Sequence, residues 1–367
     1  MPVTYTNARV FTGDGILEES AVTTDYGIVT SILPAAAVES QEGTVVDLQG
    51  AILAPAMIDL QIYGGNGAVF SLYPSVASLT AVVDYSKAGG AALVMPTVAT
   101  ISPEIMLEAI HAVKAYWEQG GKGVAGLHLE GPFINPAKKG AHLPQYIRKP
   151  AQEDIDWIIT HGKGIVKIMT LAPECCDPIL IRQLQEAGIV VFAGHSNATY
   201  DQAYIAFEQG IRHATHLFNA MSPLESRAPG IVGAIYDHPA VSASIVADGV
   251  HVDFAAIRIS KKIMGERLFL ITDAVEENKT GPYTYLREQD RFVSATGVLS
   301  GSRLTMIQAV RNCVEQVGIS LEEALRMASL YPARAIGQAQ QRGRIKPGYA
   351  AALVAIRPNW EVTVYCE

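Results

Sequence analysis

Several short polar clusters each follow an apolar run in this chain: His128-Leu129-Glu130-Gly131-Pro132, Gly194-His195-Ser196-Asn197, His216-Leu217-Phe218-Asn219, Asp248-Gly249-Val250-His251 and Thr272-Asp273-Ala274. Glu130, His195 and His216 offer one carboxylate and two imidazoles, a donor set that suits zinc and accepts other divalent first-row metals. Three protein ligands leave a position open for water. Asp273 is the candidate for proton transfer, because water acidified by an ion must lose a proton as it attacks and a leaving amine must gain one. Each residue alone has a plainer reading: a hydrogen-bonded structural histidine, an ion-paired glutamate, or an aspartate capping a helix. Taken together they favour a metal site, because buried charge at so many strand ends is costly unless it is paired or metal-bound. Residues 274–282 read as a loop rather than a helix, which favours catalysis over capping for Asp273.

Such groups must be placed by a scaffold that gathers strand ends. From about residue 52, apolar runs alternate with helical stretches, the pattern of βα units around a parallel sheet. The runs at 57–61, 91–95, 124–129, 165–169, 189–193, 211–215, 241–246 and 267–271 supply the strands of a (β/α)8 TIM-like barrel, an α/β fold, with helices such as 103–117 and 200–209 between them. Catalytic groups of such barrels sit at the C-terminal ends of the strands, where the clusters fall. Before the barrel, segments 4–6, 8–11, 27–32 and 44–48 read as short strands with a turn at Gly13-Asp14-Gly15; after it, 343–345, 352–356 and 362–365 return to strand character. The expected organisation is residues 1–51 and 340–367 in one small β-sandwich beside a catalytic barrel over 52–339.

The remaining histidines rank lower. His128 shares the inward face with Glu130 and suits a supporting or packing role, while His111, His161, His213 and His238 read as structural, leaving His142, His195, His216 and His251 as the functional set. The 367 residues, 49% hydrophobic and 17% charged, can bury a deep core. A net charge of -8 argues against nucleic acid or an anionic membrane as partner. The four cysteines form no C-x-x-C pair, so neither a disulfide scaffold nor a cysteine zinc site is expected. No secretory leader and no run of 18 apolar residues is legible, and a reducing cytoplasm is the simplest location.

At these same clusters the chain resembles the N-acetylglucosamine-6-phosphate deacetylase family of the amidohydrolase superfamily. The resemblance runs nearly the whole length, through Pro55-Ala56-Met57-Ile58-Asp59-Leu60-Gln61, His128 to Asn135, Lys138-Lys139-Gly140-Ala141-His142, Gly194 to Thr199, Thr215 to Met221, Ala247 to Asp253, Thr272-Asp273-Ala274 and Leu299-Ser300-Gly301-Ser302. It implies one divalent ion per subunit on Glu130, His195 and His216, zinc first and iron, cobalt, manganese or nickel compatible. Asp273 then acts as general base and afterwards acid, and His142 polarises the acetamide carbonyl. It further implies that Asn219, the backbone at Ala220, Arg227 and His251 contact the sugar phosphate, with Ala141, Leu299, Ser300 and Gly301 as further substrate contacts. A homodimer is implied, the neighbouring subunit completing the phosphate site. The expected reaction is deacetylation of N-acetylglucosamine 6-phosphate in amino-sugar catabolism.

One departure from the wider superfamily bears on the metal. Where many amidohydrolases carry H-x-H on the first barrel strand, this chain has Gln61-Ile62-Tyr63, which are poor ligands for a binuclear site. A single ion is therefore expected. Residues 276–294 match least well and, following Asp273, could line the sugar pocket. The rivals are a deacetylase of the galactosamine 6-phosphate epimer, another amidohydrolase such as one acting on a cyclic amide, and a non-catalytic sugar-phosphate binding protein. Retention of Asp273 with all three ligands argues against the last.

Overall fold

The structure, a computed structural model, describes residues 1–40, 43–289 and 291–366. Eight parallel strands form its centre: β1 (Met57–Ile62), β2 (Ala91–Ala99), β3 (Leu127–Glu130), β4 (Val166–Leu171), β5 (Val190–Ala193), β6 (His213–Ala214), β7 (Ser242–Val246) and β8 (Leu268–Ile271). They hydrogen-bond in sequence order, as the alternation of apolar runs and helices requires. Every residue of β1 and β2 is buried, because a parallel strand covered by helices on one side and packed inside the barrel on the other has no solvated face. The intervening helices start where local chemistry favours it. Pro103–Glu118 carries proline in its first turn, and Tyr200–Glu208 is closed by a capping box between Thr199 and Gln202.

Two strands are shorter than expected by two residues or more. Val124 makes only an isolated bridge to Val94, and the chain breaks at Gly126, where φ is +151 and a Cβ would lie 2.2 Å from Lys167 Cγ, so β3 begins at Leu127. The sixth run contracts to His213–Ala214 before the chain turns towards His216.

The termini meet in one seven-stranded sheet built from Val3–Phe11, Ile16–Asp25, Ile28–Pro34, Thr44–Asp47, Ile52–Pro55, Leu353–Ile356 and Val362–Tyr365. Val3–Phe11 pairs with Thr44–Asp47 along its first half and Ile52–Pro55 along its second, so the sheet splits there and encloses a separate core that includes Val10, Val22, Val29, Leu53 and Leu353. By its hydrogen bonds this sheet extends past residue 51 to Pro55, which pairs with Leu353. The strand Ile16–Asp25 is an addition to the sequence reading. Conversely, 343–345 is not a strand: Gly343 adopts φ +81 and the segment turns, with Ile345 N donating to Thr12 O at 2.9 Å. Among the described residues no helix is long and apolar enough to cross a membrane.

The barrel closes at its catalytic end. Ile62 bridges Ala274, Asp273 N donates to Gln61 O at 2.9 Å, and Thr272 donates from its amide to Asp59 Oδ1 at 3.1 Å and from its hydroxyl to Asp59 Oδ2. Asp59 is thus a buried polar clasp between β1 and β8. Burial pushes its carboxyl up to about 7, against the hydrogen bonds from Thr272 and Gln61 that favour the charged form. A carboxyl raised in the folded state destabilises the fold as pH rises from its unfolded value of 3.8 towards 7, on the order of 4 kcal/mol in all, and has no further effect above. Asp59→Asn should therefore gain stability relative to the parent chain between pH 5 and pH 8. Thermal unfolding at the two pH values checks this; a difference independent of pH would contradict it.

Candidate active site

Glu130 ends β3, and the histidines and Asp273 stand on the turns that leave β5, β6 and β8. His195, His216 and Asp273 have φ of +46, +28 and +55, and Ala220 beside them +53. Left-handed backbone at non-glycine residues costs about 1–3 kcal/mol each and persists only where the surroundings over-determine it. Here Ser196 N donates to Ala220 O at 3.1 Å and Ser222 N to Ser196 O at 3.0 Å, which zips the β5 and β6 turns together. Asp273 is held from both sides, its amide on Gln61 O and its carbonyl accepting from Ser302 N at 2.9 Å.

These turns bring three donors to one point. Glu130 Oε1 lies 2.8 Å from His216 Nε2 and 3.4 Å from His195 Nε2, and the two nitrogens are 3.1 Å apart. Ligand bonds of about 2.0–2.1 Å in a tetrahedral site space the donors roughly 3.3 Å apart, so the triangle fits one small divalent ion. The tautomer agrees at His195: Nδ1 donates to Lys138 O at 2.9 Å, which turns the Nε2 lone pair inward. All three residues are buried. Burial works to raise the Glu130 carboxyl, but the charge of His195 and hydrogen bonds from His142, His195 and His216 outweigh it and hold the group well below the usual range.

Around this triangle lie groups that the sequence reading assigned no function. The Gln61 amide donates to Glu130 Oε1 at 2.9 Å, to Asp273 Oδ1 at 2.9 Å and to Tyr63 Oη at 2.8 Å, and its carbonyl accepts from Thr215 Oγ1. It joins the Glu130 carboxylate to that of Asp273. Tyr63 donates its hydroxyl to Glu130 Oε2; burial and the nearby Glu130 charge raise the phenol well above its usual value, which keeps it protonated. Both point inward with Asp59 at two-residue spacing, the signal that could have assigned them. Oε2 also accepts from His142 Nε2 at 3.1 Å. The Thr100 amide donates to His142 Nδ1 at 3.2 Å, fixing the proton on Nε2, and burial lowers this imidazole to about 4, so it is a neutral donor. Asp273 is shifted the other way: burial raises its carboxyl and Glu130 adds to this, with His216 opposing.

The ligand triangle, His142 and Asp273 open onto a cavity of about 240 Å³ that Ala141, Asn219, Ala220, His251, Leu299, Ser300 and Gly301 also line. His251 is oriented through Nδ1, 2.6 Å from Asp248 Oδ2. Tyr283 and Tyr285, from the segment expected to reach the sugar pocket, complete the wall; Asp290 of that segment lies outside the described residues. Arg227 is not brought to the cavity: it is exposed on the loop after Met221, and among the described residues no carboxylate is within ion-pair distance of it. His128 is a packing residue. Its Nδ1 donates to Leu60 O at 3.1 Å, Nε2 lies 2.8 Å from Thr170 Oγ1, and burial lowers it to about 4. His213 and His238 are likewise engaged, with Ser242 and Glu208.

A barrel with a Glu-His-His site at its strand ends and an aspartate after the eighth strand defines a metal-dependent hydrolase of the amidohydrolase kind. The amidohydrolase family profile matches residues 52–365, and the chain belongs to that family. It is similar to N-acetylglucosamine-6-phosphate deacetylase of Haemophilus influenzae, 37% identical over 97% of this chain and 95% of that one. It is also similar to N-acetylgalactosamine-6-phosphate deacetylase of Escherichia coli O157:H7, 33% identical over 95% of this chain and 93% of that one. Among solved structures, N-acetylglucosamine-6-phosphate deacetylase from Pasteurella multocida superimposes with a TM-score of 0.96 at 35% identity, covering 100% of this chain and 98% of that one.

Replacing Glu130 by glutamine keeps the side-chain shape but removes the only anionic ligand of the triangle. Glu130→Gln should lose at least about tenfold in divalent-metal affinity, the smallest loss usual even for a residue that only supports a ligand. Competition against a chromogenic chelator reads this directly, and unchanged affinity would contradict the ligand assignment.

Proposed function

We propose that this chain hydrolyses the N-acetyl amide of N-acetylglucosamine 6-phosphate, releasing acetate and glucosamine 6-phosphate, as a step in amino-sugar breakdown. The observation that carries the reading is the convergence of Glu130 Oε1, His195 Nε2 and His216 Nε2 beside Asp273 in one cavity. When bound there, a divalent ion acidifies water and draws charge from the amide carbonyl, and zinc suits the donor set best, with iron, cobalt, manganese and nickel compatible. Asp273 Oδ1 is held by Gln61, which leaves Oδ2 to take the proton from the attacking water and return it to the leaving amine. His142 Nε2–H donates to the amide carbonyl. Because Tyr63 also donates to Glu130 Oε2, His142 can turn to substrate without leaving that oxygen bare.

Asn219, the Ala220 backbone and His251 are assigned to the sugar phosphate, with Ala141, Leu299, Ser300 and Gly301 shaping the wall. Arg227, exposed and outside its own chain's cavity, is assigned to the phosphate in the neighbouring subunit of a homodimer, where its planar fork can bind two oxygens. A reducing cytoplasm suits the four unpaired cysteines. The gluco epimer is favoured by the higher identity to the Haemophilus N-acetylglucosamine-6-phosphate deacetylase than to the Escherichia coli N-acetylgalactosamine-6-phosphate deacetylase.

An acetate-release assay on both epimeric sugar phosphates tests the reaction: turnover of the gluco epimer is expected, and turnover of neither would overturn the reading. Asp273→Asn should lower kcat by about 10²–10⁴-fold while retaining substrate binding. Near-normal turnover in that variant would remove its proton-transfer role. Arg227→Ala should raise KM about tenfold or more with little change in kcat, since a charged phosphate contact contributes about 1.5–3 kcal/mol and lies far from the scissile bond. An unchanged KM for the phosphorylated sugar would place the phosphate elsewhere.

A further inference from the structure

The segment after Asp273 makes a contact that the reaction above does not use. It returns to the cavity wall through Tyr283 and Tyr285, whose rings stack at 6.1 Å between centroids and 13° between planes. The Tyr283 hydroxyl donates to Thr100 O at 2.6 Å and accepts from Leu143 N at 3.2 Å. Those two residues hold His142. The Thr100 amide donates to His142 Nδ1 at 3.2 Å, its hydroxyl lies 2.7 Å from the same nitrogen, and Leu143 is the next residue in the chain. One phenol therefore ties together the end of β2 and the loop carrying the imidazole, its hydroxyl bonded to the backbone on either side of the ring.

We propose that Tyr283 is a positioning residue for His142, keeping its Nε2–H aimed into the cavity by clasping Thr100 to Leu143. The physical reason is the burial of the clasp: Thr100 is 1% exposed and Tyr283 5%. Without the hydroxyl, the buried Thr100 carbonyl is left with no partner, which is costly, and the half-buried Leu143 amide loses its acceptor. The loops then separate or admit water, and the Thr100 amide that fixes the His142 tautomer moves with its own carbonyl. A tyrosine serving only as an aromatic wall would make no such demand, and phenylalanine would replace it without effect. The consequence for turnover rests on the deacetylation reading; the consequence for the His142 ring does not.

The test separates the two. In the metal-loaded protein with 15N-labelled histidine, Tyr283→Phe is expected to shift or broaden the His142 ring nitrogens, identified by their loss in His142→Gln. In acetate release, Tyr283→Phe is expected to lower kcat about tenfold with KM within threefold, and to change kcat less than twofold when introduced into His142→Gln. Unaltered ring nitrogens, or equal losses in both backgrounds, would overturn the positioning role. A parent chain that releases no acetate refutes the substrate reading instead, and the ring nitrogens alone then decide the clasp. Should Tyr283→Phe fail to fold, hydrogen exchange of the Leu143 amide in the parent chain decides: slow exchange is expected, and exchange as fast as an exposed loop amide would overturn the clasp.

Discussion

A carboxylate buried as deeply as that of Glu130 is tolerated only where positive charge and hydrogen-bond donors surround it. This one has both of its oxygens committed. Oε1 faces the two imidazole nitrogens and the Gln61 amide, while Oε2 receives Tyr63 and His142. The two oxygens thereby act separately, the first completing the donor triangle and the second anchoring the neutral hydrogen-bond donors that line the cavity. A divalent ion in the triangle removes the conflict of two imidazole nitrogens 3.1 Å apart, which otherwise need a shared proton.

The rest of the barrel follows from the need to hold that arrangement. His195, His216 and Asp273 stand on turns whose backbone is strained, and the strain is contained because the turns are bonded to one another rather than to solvent. Closure of β1 onto β8 through Asp59 and Thr272 places Gln61 next to Asp273, so the same contact that completes the barrel joins the Asp273 carboxylate to that of Glu130. The segment after Asp273 returns Ser302 to the Asp273 carbonyl and Tyr283 to the Thr100 carbonyl, so one stretch of chain is tied to both sides of the cavity.

The barrel was legible because parallel strands buried on both sides leave unbroken apolar runs, and each polar cluster after such a run marked a strand end. The terminal sheet was less so. Bulges at Asn7 and Glu19, both at positive φ, break the two-residue period of Val3–Phe11 and Ile16–Asp25, and the polar Glu18-Glu19-Ser20 hides the second strand. Glu130, His195, His216 and Asp273 were picked out by residue type and position, His142 and His251 by elimination and resemblance, and the fold brings all six to one cavity. Gln61 and Tyr63 were seen only as poor ligands, because both donate hydrogen bonds to the one carboxylate of Glu130, 69 and 67 residues away, a relation no local pattern carries. Tyr283 was hidden for the same reason, its partner Thr100 lying 183 residues earlier. Arg227 was expected at the phosphate, and this chain leaves it exposed and outside the cavity.

Diffraction from zinc-soaked crystals, recorded on either side of the zinc absorption edge, tests the central geometry most directly. One anomalous peak per chain is expected, about 2.0–2.2 Å from Glu130 Oε1, His195 Nε2 and His216 Nε2. A peak at other residues, two peaks of equal height in the cavity, or none would contradict the account.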